Sequence, residues 1–163
     1  MISNTYANQL LNLMFGVSAK IEGAEQVYMG LCENEPNKLT GAVDSEPSAT
    51  SYKRKLIGGT KETTKYFGKI ADNGVITNAA YGGVITNHSE IQFVTARQDW
   101  TEGDKKIYYW FLSNSDVKGA PAIIWGLIKD IDEQDGIEVP HDTVPTFYEG
   151  QLKASIDVQL DEN

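Results

Sequence analysis

One cysteine, two histidines and fourteen basic residues are what this 163-residue chain has little of. Each scarcity closes a class of function. A lone Cys32 rules out an internal disulfide and a cysteine-built zinc site, and its place beside the apolar Met29-Gly30-Leu31 predicts a buried, unreactive thiol. Fourteen Lys and Arg against 23 Asp and Glu give a net charge of −9 and a pI near 4.6, a field that repels nucleic acid and anionic lipid. The longest apolar runs, 107–112 and 120–128, fall far short of the roughly 20 residues a membrane helix needs. No basic flank, apolar stretch and small-residue cleavage site stand in order at the N-terminus, so the expectation is synthesis in a cytoplasm without a secretory signal.

What is there reads as one globular unit. Hydrophobic residues at 40% and charged residues at 23% are enough for a core, and a chain of this length predicts a single domain over 1–163 that buries roughly 70% of its unfolded surface. Ser3 and Asn4 can cap a helix in which Tyr6, Leu10, Leu13, Met14 and Val17 share a face and Gly16 is a stop, so a helix is expected over about 4–15. After it the chain turns to short segments rich in Val, Ile, Tyr, Phe and Thr between Gly, Pro, Asn and Asp. Strands are expected at 25–32, 51–57, 75–77, 84–86, 90–95, 106–112, 122–128, 143–148 and 151–160.

Two of these strands carry more information than the rest. Leu152, Ala154, Ile156, Val158 and Leu160 alternate with polar residues, the pattern of one buried and one wet face. The run 107–112 is apolar on both faces, as expected of a strand between two layers or one that meets another subunit. Many strands without helical crossovers predict a mainly β fold, an antiparallel two-sheet sandwich of which the jelly roll is one arrangement. Gly74-Val75-Ile76-Thr77-Asn78 returns as Gly83-Val84-Ile85-Thr86-Asn87, and two copies this close read as the arms of a hairpin or as alternative registers of one strand. Lys53-Arg54-Lys55 alternates across its strand and so reads as a solvated edge, not a basic patch.

Catalytic patterns are absent from the sequence. His141-Asp142 and His88-Ser89 have no nucleophile elbow around them and read as turn residues. The acidic run 130–136 has Asp135 where a calcium loop of the EF-hand type needs glycine, and together with 99–104 it reads as a solvated turn or an irregular oxygen site. Gly58-Gly59-Thr60-Lys61 lacks phosphate-loop spacing. Trp100, Trp110 and Trp125 offer a platform for stacking sugars or a set of core residues, and Asn87-His88-Ser89 matches a glycosylation acceptor only formally. The expectation is a protein that is not an enzyme and takes no cofactor or metal.

The expected helix 6–15, the strand Val27-Tyr28-Met29-Gly30-Leu31, the Glu46-Pro47 loop with Tyr52 and Arg54, Ile124-Trp125-Gly126 and the alternating C-terminal strand, taken in order, resemble a family of small tailed-bacteriophage virion proteins labelled phage tail fibre proteins. Tyr52 and Arg54 match a tyrosine and an arginine that follow a turn of glycines in that pattern; here the turn is Thr50-Ser51. The resemblance implies a structural protein on the virion surface, made in the host bacterial cytoplasm and present in several copies, with no catalytic residues carried over. It implies placement as capsid decoration or in tail-fibre or neck attachment, with other virion proteins and further copies of the chain, as a trimer, for partners. A host-receptor or glycan-binding module is the alternative. The face Tyr6, Leu10, Leu13, Met14 then either docks on the particle or plugs one end of the chain's own sandwich.

Overall fold

Alternation across two faces builds the centre of the molecule. The computed structural model describes residues 25–59, 84–128 and 136–155, together with 2, 3, 7, 66, 67, 69, 70, 76 and 77. In chain order the strands are β1 (Val27–Cys32), β2 (Lys55–Gly58), β3 (Lys69–Ile70), β4 (Ile76–Thr77), β5 (Val84–Thr86), β6 (Ile91–Gln92), β7 (Tyr109–Ser113), β8 (Ile124–Leu127), β9 (Thr146–Phe147) and β10 (Lys153–Ser155). Among the described residues all pairings are antiparallel, in one four-stranded sheet of order β2-β1-β7-β8 and three two-stranded ones, β10-β5, β3-β4 and β6-β9. The fold is therefore mainly β and antiparallel, as the sequence predicts. Among the described residues no helix is long and apolar enough to cross a membrane.

The two central strands of the four-stranded sheet, β1 and β7, carry buried side chains on both faces. Met29 and Leu31 of β1 and Trp110 of β7 point into the larger core with Ile57, Ile91, Phe93, Trp100 and Phe147. Cys32 and Phe111 point the other way, onto Val43, Ala122 and Trp125. Enclosing a Leu, Met or Phe in this way contributes roughly 1.5–3 kcal/mol per side chain. The register makes room for the aromatics: Gly30 lies opposite Phe111 and Gly126 opposite Trp110. A Cβ on Gly126 would stand 2.8 Å from Trp110 Nε1, and one on Gly30 would enter the Phe111 ring. Glycine at these two positions is a packing requirement, since the ring of the neighbouring strand occupies the side-chain position.

Two expectations fall on residues outside the described ones or need correction. The helix over 4–15, with Tyr6, Leu10, Leu13 and Met14, lies outside the described residues, and so does 156–160 of the C-terminal strand. At the N-terminus the described contacts are three: Ile2 bridges Ile124, the Ser3 amide donates to Ile123 O at 2.9 Å, and the Ala7 amide donates to Ser3 O at 3.0 Å. The repeat does not form a hairpin among the described residues. Its first copy, in β4, pairs with β3, and its second, in β5, pairs with β10. Identical side chains take different partners because pairing is decided by what lies opposite more than by intrinsic strand preference.

Candidate functional site

The Glu46-Pro47 loop carries the densest polar arrangement in the described structure. An Ala49-to-Tyr52 turn, closed by the Tyr52 amide on Ala49 O at 3.1 Å, has Thr50-Ser51 at its centre, and neither residue takes a positive φ. Glycine is thus dispensable in this turn. The turn brings Glu46, Tyr52 and Arg54 together. Arg54 donates to the Glu46 carboxylate twice, from Nη2 to Oε1 at 2.7 Å and from Nε to Oε2 at 3.0 Å, and both side chains are 1% exposed.

Remaining hydrogen bonds tie this pair to two other parts of the chain. Glu46 Oε1 also accepts from the Gly119 amide at 2.7 Å and Oε2 from the Tyr52 hydroxyl at 2.9 Å, while that hydroxyl accepts from the Leu31 amide at 2.9 Å. Arg54 donates further to Ser115 O and Ala120 O, each at 2.8 Å, and its guanidinium sits 4.8 Å from the centre of the Phe111 ring. Lys118 Nζ reaches Pro47 O at 2.6 Å. The loop before β2, the loop after β7 and the backbone of β1 are thus pinned at one point. A buried ion pair survives desolvation only when its other hydrogen-bonding positions are also filled, which is the case here.

This arrangement suits architecture, not reaction chemistry. Burial, reinforced by the Glu46 charge and opposed by Arg54, pushes the Cys32 thiol up to about 12. Burial and Glu46 hold the Tyr52 phenol well above its ordinary value. Neither group ionises near neutral pH. Arg54 corrects the reading of Lys53-Arg54-Lys55 as a solvated edge: Lys53 is exposed, but Arg54 is buried, because its carboxylate partner lies eight residues upstream.

A second feature is open. A cleft of about 410 Å³ runs between residues 137–139 and 143–148. Its floor is the buried Ile128, Val139 and Phe147, and Val144 and Tyr148, 42% and 55% exposed, stand at its mouth. One wall is built on β9, held to the neighbouring strand by the Phe93 amide on Pro145 O at 2.9 Å and by Ile91 opposite Phe147. Edge-to-face contacts carry that wall into the core through Phe147, Phe93, Trp100 and Tyr52. The far end of the wall is fixed by the buried Asn87, whose Nδ2 donates to Tyr148 O at 2.8 Å and whose Oδ1 accepts from the Leu152 amide at 3.0 Å.

Other sequence candidates settle as follows. Asn87, the formal glycosylation acceptor, is an internal hydrogen-bonding post. All three tryptophans are buried, which removes them as a sugar platform and places them in the core. His141 Nδ1 lies 3.1 Å from Asp142 Oδ2 on an exposed turn, where Asp142 takes a positive φ. Asp99 accepts from the His141 amide at 2.6 Å. Among the described residues no three His, Cys, Asp or Glu side chains gather as a metal ion would need; the acidic run 130–135 lies outside them. The proposed docking face Tyr6, Leu10, Leu13, Met14 also lies outside them. The cleft was not singled out in the sequence, although 143–148 carries the signal: apolar residues occupy both parities, Val144 and Tyr148 on one side of the strand, Pro145 and Phe147 on the other.

Comparison with protein families completes the picture. The family model for the podophage GP4 fiber I protein gp80 matches residues 1–145. The chain belongs to this family. A comparison with curated proteins finds no match. Membership of the gp80 family agrees with the tail-fibre resemblance carried by β1, the Glu46-Pro47 loop, Tyr52, Arg54 and Ile124-Trp125-Gly126. In three dimensions those residues form the central sheet and its polar anchor, so what the resemblance tracks is the framework of the fold.

Proposed function

We propose that this gp80-family chain is a non-enzymatic structural subunit exposed on a podophage particle, placed where a fibre joins the tail or neck. The observation that carries the reading is the fibre-family match over residues 1–145. The polar anchor supports it: Glu46, Tyr52, Arg54 and Cys32, which would be the obvious reactive groups in another setting, are all engaged in holding the fold. The net charge of −9 keeps such a subunit soluble in the host cytoplasm until it meets its site.

The subunit works by burying surface. Roughly 1,600 Å² suffices for specific attachment, and repeated copies add avidity without a cofactor. A trimer of the chain is the proposed assembly, because repeated virion sites present cyclic symmetry. The face Tyr6, Leu10, Leu13, Met14 is proposed to dock on the particle. Leu10→Asp with Leu13→Asp tests that part: a folded variant that no longer incorporates supports docking, whereas an unfolded one assigns the face to the chain's own core.

Antibody-gold labelling of intact virions tests the placement. Gold at the tail or neck is the expected result. Gold over the head would replace fibre attachment by capsid decoration, and no gold on particles that contain the protein would overturn surface exposure. Light scattering across a concentration series tests the trimer; a monomer at every concentration in solution and in the particle would remove it.

A further inference from the structure

We propose that the cleft beside β9 is a strand-receiving slot, which takes an extended segment of another virion protein in which apolar residues alternate with lysine or arginine. The proposal rests on the structural-subunit reading and names the chemistry of its partner. In an antiparallel ladder, successive residues direct their backbone N–H and C=O groups to opposite edges. The Phe93-to-Pro145 bond and the Ile91-Phe147 pairing assign residues 145 and 147 to the partner strand. Val144 and Thr146 therefore aim their backbone groups at the other edge, the cleft side.

The opposite wall has the same property. Ile137 exchanges both backbone bonds with Ile107, each at 2.9 Å, and Val139 O accepts from the Trp100 amide at 2.9 Å. Glu138, between them, directs its amide and carbonyl away from that ladder. Glu138 and Thr146 line the same cleft, and among the described residues neither amide finds an acceptor. Two strand edges thus face one groove with an apolar floor. An inserted extended chain satisfies both edges and sends every second side chain onto Ile128, Val139 and Phe147.

Charge selects the occupant. Side chains of the inserted strand that point outward meet Glu138 in the wall, on a chain of net charge −9 that also exposes Asp142 and Glu149, the residues flanking the lining segment 143–148 in sequence. His141, next in sequence, lies beside Asp142, its Nδ1 3.1 Å from the Asp142 carboxylate. The chain's own segment 156–160 has the apolar alternation but carries Asp157 within it and Asp161 and Glu162 after it, like charges to Glu138. A basic segment from another protein is the complementary match.

The test uses the full chain, labelled with ¹⁵N, and an acetylated eight-residue peptide alternating Lys and Val as the probe. The peptide is expected to shift the Thr146 and Glu138 amides and slow their solvent exchange. A Glu-Val peptide is expected to leave them unchanged, and so is a Lys-Pro peptide, which cannot donate along the edge. Glu138→Lys is expected to raise the Kd for Lys-Val by about tenfold or more; if that variant fails to fold, Glu138→Gln with a salt series gives the same reading. Thr146 and Glu138 amides already protected in the dilute free protein would assign the groove to the chain's own tail. Protection that appears only with self-association would assign it to a second copy. Either result overturns the proposal, as does binding indifferent to charge or lying elsewhere. The gold labelling is independent of all this: a protein that labels virions but ignores the peptide loses the slot alone, and one that binds the peptide but is absent from particles loses the structural reading.

Discussion

The anchor around Glu46 and the cleft around Thr146 treat their polar groups in opposite ways. In the anchor, carboxylate, guanidinium and phenol are enclosed and each finds several partners, two of them backbone carbonyls of a loop more than sixty residues away. In the cleft, Glu138 and Thr146 line an apolar floor, and among the described residues neither amide finds an acceptor. An enclosed and satisfied network fixes one arrangement of loops, whereas an open edge has its pairing still to make. The difference teaches where the chain's polar groups are committed to the fold and where the proposed partner strand would be needed to satisfy them.

Glu46→Ala should expose the contrast most strongly. It leaves Arg54 buried without its carboxylate and is expected to cost about 3–5 kcal/mol in urea unfolding. Replacing Glu46 and Arg54 together by Met should cost less than Glu46→Ala alone, and the reverse order would break the description of the pair as an anchor. Gly126→Ala forces a methyl against Trp110 and is expected to cost about 1–3 kcal/mol by the same measurement. Tyr52→Phe keeps the ring on Trp100 but leaves the Leu31 amide without its acceptor, for an expected loss of about 1–2 kcal/mol.

The anchor side should also respond to alkali. The Cys32 thiol rises from 9.0 to about 12 on folding, so its contribution is fully present below pH 9 and is lost as pH climbs from there towards 12. The slope reaches about 1.4 kcal/mol per pH unit, and Cys32→Ala should flatten it. Tyr52 acts in the same direction. At the cleft, Val144→Thr, and Val94→Thr beside it on the exposed face of the ribbon, should change stability by no more than about 0.5 kcal/mol. A loss of several kcal/mol there would make the cleft part of the folding core and erase the comparison.

How much of this was legible follows from particular residues. The run from Ile107 to Leu112 announces a strand with two dry faces, and β7 has them, because apolar residues at every position leave no wet side. Strand positions are legible in composition, but their ends depend on the partner: 84–86 is found as expected, whereas the expected strands 90–95 and 143–148 form a ladder over Ile91–Gln92 and Thr146–Phe147. Arg54 was misread because a charged triplet on a strand is ordinarily solvated; only Glu46, eight residues earlier in a different turn, changes that, and no periodicity connects them. The two copies of Val-Ile-Thr could not reveal that one pairs with β3 and the other with β10, since register depends on the opposing strand. Apolar residues of both parities in 143–148 mark the wall of the cleft, but which of its backbone groups are left without a ladder partner is a property of backbone direction and leaves no mark in side-chain pattern.

The middle of the four-stranded sheet joins β1 to β7, residues 27–32 to 109–113, with β2 and β8 outside them. During synthesis the first of these waits, with Met29 and Leu31 uncovered, until the second leaves the ribosome. At the usual 5–20 residues per second that interval is on the order of ten seconds. Pairing so far apart in the chain also slows closure itself. A chain built this way exposes apolar strand surface early in its life, and its net charge of −9 opposes the approach of neighbouring nascent copies during that interval.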